Sequence, residues 1–239
     1  CGIALANTQM EAYQNAFRAD PQSSFGGIIA FNKKLELETV QLILSQQFVE
    51  VIIAPLISEE AQAHLQNKPN VRLLLTGVWQ EGERFELDLR RIDGGLLVQE
   101  RDSFSSRFEH FKVVSKRQPT EEEQHHLLFA WTAVKHVKSN AIVIAKENIT
   151  IGIGAGQTSR VMSTRIAVWQ AEQSGFNAMG AVLASDAFFP FADCIELAAQ
   201  AGITAIIQPG GSIRDKEVIA AANQAQLAMI FTGMRHFKH

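Results

Sequence analysis

Short runs of apolar residues alternate with segments of helical periodicity along the first half of the chain. Continuous apolar runs bounded by turn residues are typical of buried strands, and a 3.6-residue period is typical of helices packed on a sheet. The pattern predicts strands over 26–32, 49–55 and 71–75, with helices over 37–47 and from Ser58 onward, Ser58 being the N-cap. The turn signal Asp93-Gly94-Gly95, between segments 84–92 and 95–100, predicts an antiparallel pair.

A polar stretch over 115–120 separates this half from a second series of elements. Thr120 and Glu123 have the spacing of a capping box and predict the start of a helix. Further predicted strands cover 141–145, 149–153, 180–184, 203–208 and 227–232, and predicted helices cover 159–173, 194–201 and 215–224. The alternation predicts an α/β fold with mostly parallel pairing in the second half. Two units follow from this, 1–117 and 118–239.

Composition narrows the class of protein. The 22 Lys and Arg residues nearly balance the 25 Asp and Glu residues, for a net charge of −3, which argues against a general nucleic-acid binder. No apolar run approaches the roughly 20 residues of a membrane span. Two cysteines are too few for a disulfide framework or a cysteine zinc site, and the helical histidines lack the i, i+4 spacing of a zinc pair. We therefore expect a cytoplasmic protein with no metal, nucleic-acid or membrane partner.

Three glycines, Gly152, Gly154 and Gly156, lie between a predicted strand and a predicted helix in "ITIGIGAGQTSR". Glycines in that place let backbone N–H groups approach a phosphate, and they also allow a tight strand-to-helix turn. Both interpretations stay open on this motif alone. The spacing is not the G-x-G-x-x-G of dinucleotide sites and no acidic residue follows at the expected strand end, so a nicotinamide site is weakly indicated.

The segment 185–193, "SDAFFPFAD", concentrates three phenylalanines and a proline between acidic residues. It follows a predicted strand, and open α/β sheets bind ligands beyond the carboxyl ends of their strands. A binding surface is therefore favoured over simple core packing. Asp193 with Glu196, and Ser212 with Asp215, also have the spacing of helix N-caps.

Two further polar segments are candidates for the same site. Lys138 and Asn140 precede an apolar strand, so the Asn140 amide needs partners, and a ligand is one candidate beside a simple turn. The C-terminal "MRHFKH" is either a frayed basic tail or a segment folded over the site as an anion clamp.

The segments "DPQSSFGGIIAFN", "QFVEVIIAP", "DGGLLVQ", "KRQPTEEE", "VKSNAIVIAK", "IGIGAGQTSR", "SDAFFPFAD", "IIQPGGSIRD" and "MRHFKH" occur in this order from end to end. In them the chain resembles the transformylase domain of the bifunctional purine biosynthesis family, in which AICAR formyltransferase is fused to IMP cyclohydrolase. The resemblance implies formyl transfer from 10-formyltetrahydrofolate, as co-substrate, to the 5-amino group of AICAR. It also implies two cytidine-deaminase-like α/β units without zinc, the first truncated, in a homodimer with shared active sites.

The resemblance assigns roles residue by residue. It places Asn140, Asp193 and His239 at the reaction centre. The residues implied in AICAR binding are Phe25, Gly26, Glu50, Asn140, Arg160, Phe188 and Arg235, with Arg235 on the phosphate. The residues implied on the folate side are Gln22, Phe188, Pro190, Phe191, Ser212 and Phe237.

The chain departs from the family pattern in two places. The family's catalytic Lys-His pair belongs to a "KHxxPCG" motif, and this chain starts at what corresponds to its "CG", without the cyclohydrolase domain. Ala192 stands where the family usually has Arg, which removes a charge beside Asp193. The alternative to an active formyltransferase is thus a fragment that binds nucleotide or dimerises without turnover, and a nicotinamide oxidoreductase is a third possibility.

Overall fold

The computed structural model of the chain describes residues 1–79, 86–102 and 107–238. The helices in these ranges are α1 (Gln9–Ala19), α2 (Leu37–Gln46), α3 (Glu59–Gln66), α4 (Glu121–Val134), α5 (Arg160–Gln173), α6 (Asp193–Gln200) and α7 (Asp215–Gln224). The strands are β1 (Gly27–Ala30), β2 (Val49–Ala54), β3 (Arg72–Leu75), β4 (Leu87–Ile92), β5 (Gly95–Glu100), β6 (Lys112–Val113), β7 (Ile142–Lys146), β8 (Ile149–Gly154), β9 (Val182–Ser185), β10 (Ala205–Gln208) and β11 (Ala228–Phe231). The chain is a mixed α/β protein, as predicted.

The first half forms a small parallel sheet of order β1-β2-β3. Its apolar core contains Leu35, Val40 and Ile52, all fully buried. Ser58 caps α3 by accepting a hydrogen bond from the Ala61 backbone N–H at 3.3 Å, as the sequence predicts. The predicted strands and helices around the small sheet are therefore confirmed, with bounds that agree to within two residues.

A separate antiparallel hairpin of β4 and β5 carries the predicted turn, where Gly94 has a φ of +75°. Residues 84 and 85 of the predicted first strand lie outside the described residues. Leucines on both strands, such as Leu87 and Leu97, are more than half exposed. The hairpin thus presents an apolar surface to its surroundings.

The second half builds a six-stranded sheet of order β6-β11-β10-β9-β7-β8. β9, β10 and β11 run parallel, but β7 is antiparallel to both of its neighbours and β6 is antiparallel to β11. The expectation of mostly parallel pairing is therefore wrong for the described strands. The reason is a two-residue hairpin between β7 and β8, where Glu147 and Asn148 have φ values of +51° and +58°. Positive φ at both central residues is the geometry of a type I′ turn, which joins antiparallel strands.

Helices cover both faces of the large sheet. On one face, side chains such as Ile144, Leu183 and Ile206 share a core with α5, α6 and α7. On the other face, Val143 and Ile207 pack with α4, whose Trp131 is fully buried. Burial on both faces explains why β9 and β10 are continuously apolar up to their last residues.

The edges of the large sheet come from residues before position 117. β6 pairs with β11, and Ala4 forms a bridge with Ile149 at the opposite edge. Helix α1 contributes Tyr13 to the small-sheet core and Ala19 to the large-sheet core. The predicted division into units 1–117 and 118–239 stays a prediction.

In the described part of the chain, no helix is both long and apolar enough to cross a membrane. The same residues contain no group of three or more His, Cys, Asp or Glu side chains that could hold a metal ion.

The predicted capping box of α4 is confirmed. Thr120 and Glu123 exchange side-chain-to-backbone hydrogen bonds, with distances of 2.8 and 3.1 Å. Arg117 donates to both carboxylate oxygens of Glu123, at 2.7 and 3.0 Å, and also to the Thr204 carbonyl. Burial by itself would raise the pKa of Glu123, but these hydrogen bonds and the Arg117 charge outweigh burial and lower it below the ordinary 4.5. The carboxylate thus ties the start of α4 to the sheet.

We expect Glu123→Gln to lower the free energy of unfolding at pH 7 by about 1–3 kcal/mol, because hydrogen bonds to a charged group are lost. The folded-state pKa is depressed, so this stabilisation is present above pH 4.5 and is lost as the pH falls through the folded pKa. The difference between variant and parent in urea unfolding should therefore shrink below pH 4.5. Glu122→Gln, on an exposed residue of the same helical turn, is the control. A pH-independent difference would contradict the ionic contribution.

Candidate functional site

A cleft of about 450 Å³ opens where the loop after β9, the start of α5, the start of α6 and the C-terminal tail meet. β9 and its parallel neighbour β10 end here, and the segment before β7 borders the cleft from the side. The lining residues are Asn140, Thr158, Ser159, Arg160, Val161, Ala187, Phe188, Pro190, Phe191, Asp193, Cys194 and Phe237. Seven residues of the predicted site are thus brought together: Asn140, Arg160, Phe188, Pro190, Phe191, Asp193 and Phe237.

The phenylalanines of the segment 185–193 divide between two roles. Phe188 and Phe191 line the cleft, and Phe191 is 48% exposed. Phe189 is fully buried in the core of the large sheet, and its backbone N–H donates to Gln208 Oε1 at 3.1 Å. The sequence presents a binding surface and core packing as alternatives for this segment. In the structure Phe188 and Phe191 line the cleft, whereas Phe189 packs in the core.

The C-terminal tail is docked and not frayed. The backbone N–H of His236 donates to the Asp186 carbonyl at 2.9 Å, and the His236 ring lies 4.5 Å from that of Trp131. The exposed Arg235 places its guanidinium 4.9 Å above the Phe188 ring and 6.0 Å from the Phe237 ring. Cation–π contacts of this kind hold an arginine in place while leaving its N–H groups available.

Arg160 and Asp186 form a buried ion pair beneath the cleft. Arg160 Nη1 and Asp186 Oδ1 lie 3.0 Å apart, without the alignment of a hydrogen bond, and the two side chains are 7% and 0% exposed. Arg160 Nε also donates to the Phe188 carbonyl at 3.2 Å. Burial lowers the pKa of Arg160, and the charge of Asp186 opposes that shift, so the guanidinium stays charged. Arg160 thus lies in the cleft wall as a charged guanidinium whose charge Asp186 compensates.

Asn140 is held by hydrogen bonds from both its side chain and its backbone. The side-chain NH2 group of Asn140 donates to the backbone carbonyl of Gln157 at 2.9 Å. The backbone carbonyl of Asn140 accepts a hydrogen bond from Ser163 Oγ at 2.8 Å. The Ser139–Asn140 peptide bond is cis. Asn140 also lines the cleft.

Asp193 is the first residue of α6, and the helix N-cap is Ala192, without a side-chain cap bond. The predicted N-cap pairing of Asp193 with Glu196 is therefore wrong, because the helix starts one residue too early for it. Asp193 Oδ1 instead accepts from the Cys194 backbone N–H at 2.8 Å. Burial and the neighbouring Asp193 raise the pKa of the Cys194 thiol to about 12, so Cys194 is no nucleophile at neutral pH.

The glycines of β8 serve packing. A Cβ on Gly152 would lie 2.0 Å from the Ala167 carbonyl oxygen, and one on Gly154 would lie 1.8 Å from that of Ser163. Helix α5 therefore packs directly on the strand backbone at both glycines. Gly156, with a φ of +66°, makes the turn that follows. Of the two open interpretations, the tight strand-to-helix junction fits this geometry.

A second turn with glycines, Gly210 and Gly211, lies between β10 and α7, and a side chain of the protein fills it. The Asp215 carboxylate accepts from the backbone N–H groups of Gly211 and Ser212, at 2.7 and 3.0 Å. Helix α7 has Arg214 as N-cap, without a side-chain bond, so the predicted capping by Ser212 is wrong. Ser212 does not line the cleft, but Arg214 stands 4.8 Å from the Phe191 ring at its rim.

Four predicted site residues lie on the small sheet or in the loop before β1: Gln22, Phe25, Gly26 and Glu50. Gly26 donates from its backbone N–H to the Phe48 carbonyl at 3.0 Å, and Phe25, 75% exposed, packs on Phe48 at 5.6 Å. Glu50 and Gln22 are exposed. None of the four lines the cleft. Their predicted roles in binding stay predictions, and His239 lies outside the described residues.

Asp186, Ser139 and His236 are site residues that the sequence did not reveal. Asp186 directly follows Ser185, the last residue of β9, and the structure buries it completely, whereas the sequence places it only at one flank of the aromatic segment. The Arg160 guanidinium compensates its charge, and because the two residues are 26 positions apart the local sequence carries no signal for the pair.

The fold is that of an α/β protein with an aromatic-lined cleft where parallel strands end, bordered by the Asp193 carboxylate and by Arg160, Arg214 and Arg235. Residues 1–170 match the family model described as "AICARFT/IMPCHase bienzyme", and the chain belongs to that family of purine biosynthesis enzymes.

A solved structure with similarity to the chain is the diaminohydroxyphosphoribosylaminopyrimidine deaminase/5-amino-6-(5-phosphoribosylamino)uracil reductase from Thermotoga maritima. The two share 17% sequence identity with a TM-score of 0.30, over 46% of this chain and 35% of that one. The chain thus spans about a third of that protein's length, and the similarity supports no functional conclusion. The two cytidine-deaminase-like units without zinc stay a prediction.

Proposed function

We propose that the chain carries part of the site at which a formyl group passes from 10-formyltetrahydrofolate to AICAR. The observation that supports this most is the cleft, where flat aromatic surface, a carboxylate and two arginines lie together. This is the chemistry that a pterin ring and a ribonucleotide phosphate require of one site. Family membership supports an enzyme of purine biosynthesis.

The folate side of the proposed site is the apolar wall of Phe188, Pro190, Phe191 and Phe237. A neutral ring system gains contact area and stacking energy against phenyl rings. Phe191 and Phe237 are each about half exposed, so part of each ring is accessible to a ligand ring.

The nucleotide side is formed by Asn140, Arg160 and Arg235. The Asn140 oxygen can accept from the carboxamide or amino group of the base. Arg235 is exposed and held on Phe188, so its N–H groups can pair with the phosphate. The remaining proposed AICAR ligands, Phe25, Gly26 and Glu50, lie on the small sheet.

Those small-sheet residues are proposed to act through a homodimer with shared active sites. They do not line this cleft in one chain, and in the proposed dimer the second copy brings them to it. The exposed apolar surface of the β4–β5 hairpin supports association of this kind.

In the proposed reaction the amino nitrogen of AICAR forms a bond to the formyl carbon while the bond from that carbon to N10 of the folate breaks. The amine loses a proton and N10 gains one. Asp193, at the cleft and next to the amine in this arrangement, accepts the proton from the amine.

Calorimetric titration of the 239-residue chain tests the proposal. We expect separate saturable binding of AICAR and of 10-formyltetrahydrofolate, and formyl transfer is then assayed with both present. Conversion of formyl-AICAR to IMP without folate binding would instead support the cyclohydrolase activity of the family. Binding of NADH with no binding of folate would support an oxidoreductase. Binding of AICAR and folate without turnover would identify a non-catalytic ligand-binding fragment.

We expect Phe188→Ala to weaken 10-formyltetrahydrofolate binding by about 5- to 150-fold, because stacking on an aromatic side chain is worth roughly 1–3 kcal/mol. AICAR binding should weaken less, and the midpoint of urea unfolding should hardly move, since Phe188 lies at the cleft surface.

The adjacent Phe189→Ala is the matched control, because its ring is fully buried. It should cost about 3–5 kcal/mol of stability. Equal losses of folate and AICAR affinity in Phe188→Ala, together with a large loss of stability, would contradict a ligand-facing role for Phe188.

A further inference from the structure

Asp186 lies at the centre of a buried polar network beneath the cleft. Its side chain is fully buried, with one carboxylate oxygen 3.0 Å from Arg160 Nη1. The other oxygen accepts from Ser139 Oγ at 2.5 Å. A buried carboxylate is tolerated when a charge and hydrogen bonds compensate it, as they do here.

Ser139 also forms two hydrogen bonds with the backbone of the C-terminal tail. Its hydroxyl oxygen accepts from the Lys238 backbone N–H at 3.0 Å, and its own backbone N–H donates to the Lys238 carbonyl at 2.8 Å. The backbone carbonyl of Asp186 accepts from the His236 N–H at 2.9 Å. Residues 236 and 238 are therefore both fastened to the Asp186–Ser139 pair.

Along the tail, the hydrogen-bonded residues 236 and 238 alternate with residues 235 and 237, which lie on the cleft side. His236 is buried against Trp131, whereas Arg235 and Phe237 are exposed on the cleft side, over and beside Phe188. In an extended segment successive side chains point to opposite sides. Fastening 236 and 238 thus fixes where 235 and 237 stand.

We propose that the Asp186–Ser139 pair is a positioning device that holds the C-terminal tail over the cleft and so places Arg235 and Phe237 for ligand binding. The Arg160 ion pair keeps the Asp186 carboxylate in one orientation, and Ser139 transmits that orientation to the tail. The ligand part of this inference depends on the proposed function, but the docking of the tail does not.

Ser139→Ala tests the proposal in the full 239-residue chain by hydrogen exchange. The Lys238 amide loses its acceptor directly, so the informative amide is that of His236, whose acceptor is untouched. We expect the His236 amide to exchange at least about tenfold faster, because local opening frees the whole tail.

Ser115→Ala is the matched control. Ser115 is as buried as Ser139, at 7% against 8% exposure, and its hydroxyl also accepts from a backbone N–H of a distant segment, that of Met229 at 2.7 Å. It should leave the His236 amide unchanged. Ser139→Cys, which fills the space with a weak donor, replaces the alanine variant should that one not fold. Undisturbed protection of His236 in the folded Ser139 variant would overturn the proposal, as would equal acceleration in the Ser115 variant.

The fluorescence of Trp131 gives a second measurement of tail release, one that a general loss of stability would not change in the same way. The sequence has three tryptophans, of which Trp79 and Trp169 are exposed. Replacing these two by Phe leaves Trp131 as the fluorescent tryptophan. The His236 ring contacts Trp131 and, through Nδ1, the Asp102 carboxylate at 2.5 Å. Release of the tail has to break both contacts, and acrylamide should then quench the Trp131 fluorescence more in Ser139→Ala than in Ser115→Ala. Identical quenching in both variants would contradict release of the tail.

AICAR titration completes the test. We expect Ser139→Ala to weaken AICAR at least about tenfold, equivalent to 1.4 kcal/mol, because Arg235 is no longer held in place. Failure of the parent chain to bind AICAR would defeat the proposed function alone, and the exchange and quenching comparisons would still decide the inference. A released tail with unchanged AICAR affinity would overturn the positioning role.

Discussion

Gly154→Ala should lose about 3 kcal/mol or more of its free energy of unfolding, at the upper end of what overpacking a core costs. The added Cβ would lie 1.8 Å from the Ser163 carbonyl oxygen, which belongs to the backbone of α5 and cannot rotate away. Either α5 or β8 must therefore move by more than an ångström, and the packing on that face of the sheet moves with it. Urea unfolding followed by circular dichroism measures the loss.

Gly95→Ala is the control for adding a methyl group without a clash. A Cβ on Gly95 would have Ile92 Cγ1, at 4.0 Å, as its nearest neighbour. It should change stability by less than about 0.5 kcal/mol, as ordinary surface substitutions do. If Gly154→Ala unfolds like the parent but loses AICAR binding, the glycine turn is a phosphate cradle after all and the packing interpretation fails.

Arg235→Lys should weaken AICAR by about 10- to 100-fold, equivalent to roughly 1.4–2.8 kcal/mol, while leaving the unphosphorylated riboside nearly unaffected. A guanidinium pairs with phosphate through two parallel N–H groups and stacks on Phe188, whereas an ammonium does neither in the same way. Calorimetric titration of nucleotide and riboside against both chains separates the phosphate contribution from the rest.

Arg214→Lys is the matched control, because Arg214 makes the same kind of contact with Phe191 at 4.8 Å from the rim of the cleft. It should leave AICAR affinity within about twofold of the parent, as expected of an exposed charge that is not a ligand. Equal weakening of nucleotide and riboside by Arg235→Lys would show that Arg235 does not bind the phosphate.

Local signals in the sequence were sufficient wherever one segment determines its own structure. The capping box of Thr120 and Glu123 and the N-cap at Ser58 were predictable, because each depends on residues three positions apart. The β7–β8 hairpin was not, since its turn is Glu147-Asn148 and carries no glycine to mark the positive φ values. Missing that turn led to the wrong expectation of parallel pairing.

The candidate site was predictable as a set of segments but not as a set of contacts. The aromatic segment and the tail were recognised, and both reach the cleft. The division between Phe188 at the surface and Phe189 in the core depends on how β9 ends, which pattern alone does not specify. The pairing of Asp186 with Arg160 joins residues 26 positions apart on different elements, so no local spacing signals it.

Residues 3–5 close one edge of the large sheet. Thr150 donates its backbone N–H to the Ile3 carbonyl, and Leu5 donates to the Asn148 carbonyl, both at 3.0 Å. These bonds join positions about 145 residues apart, so they close one of the longest loops in the fold. A chain that lost this short segment would keep its core but leave the backbone of β8 open to pairing with another molecule, the arrangement from which sheet proteins aggregate. Solubility, more than ligand binding, would then depend on the first five residues.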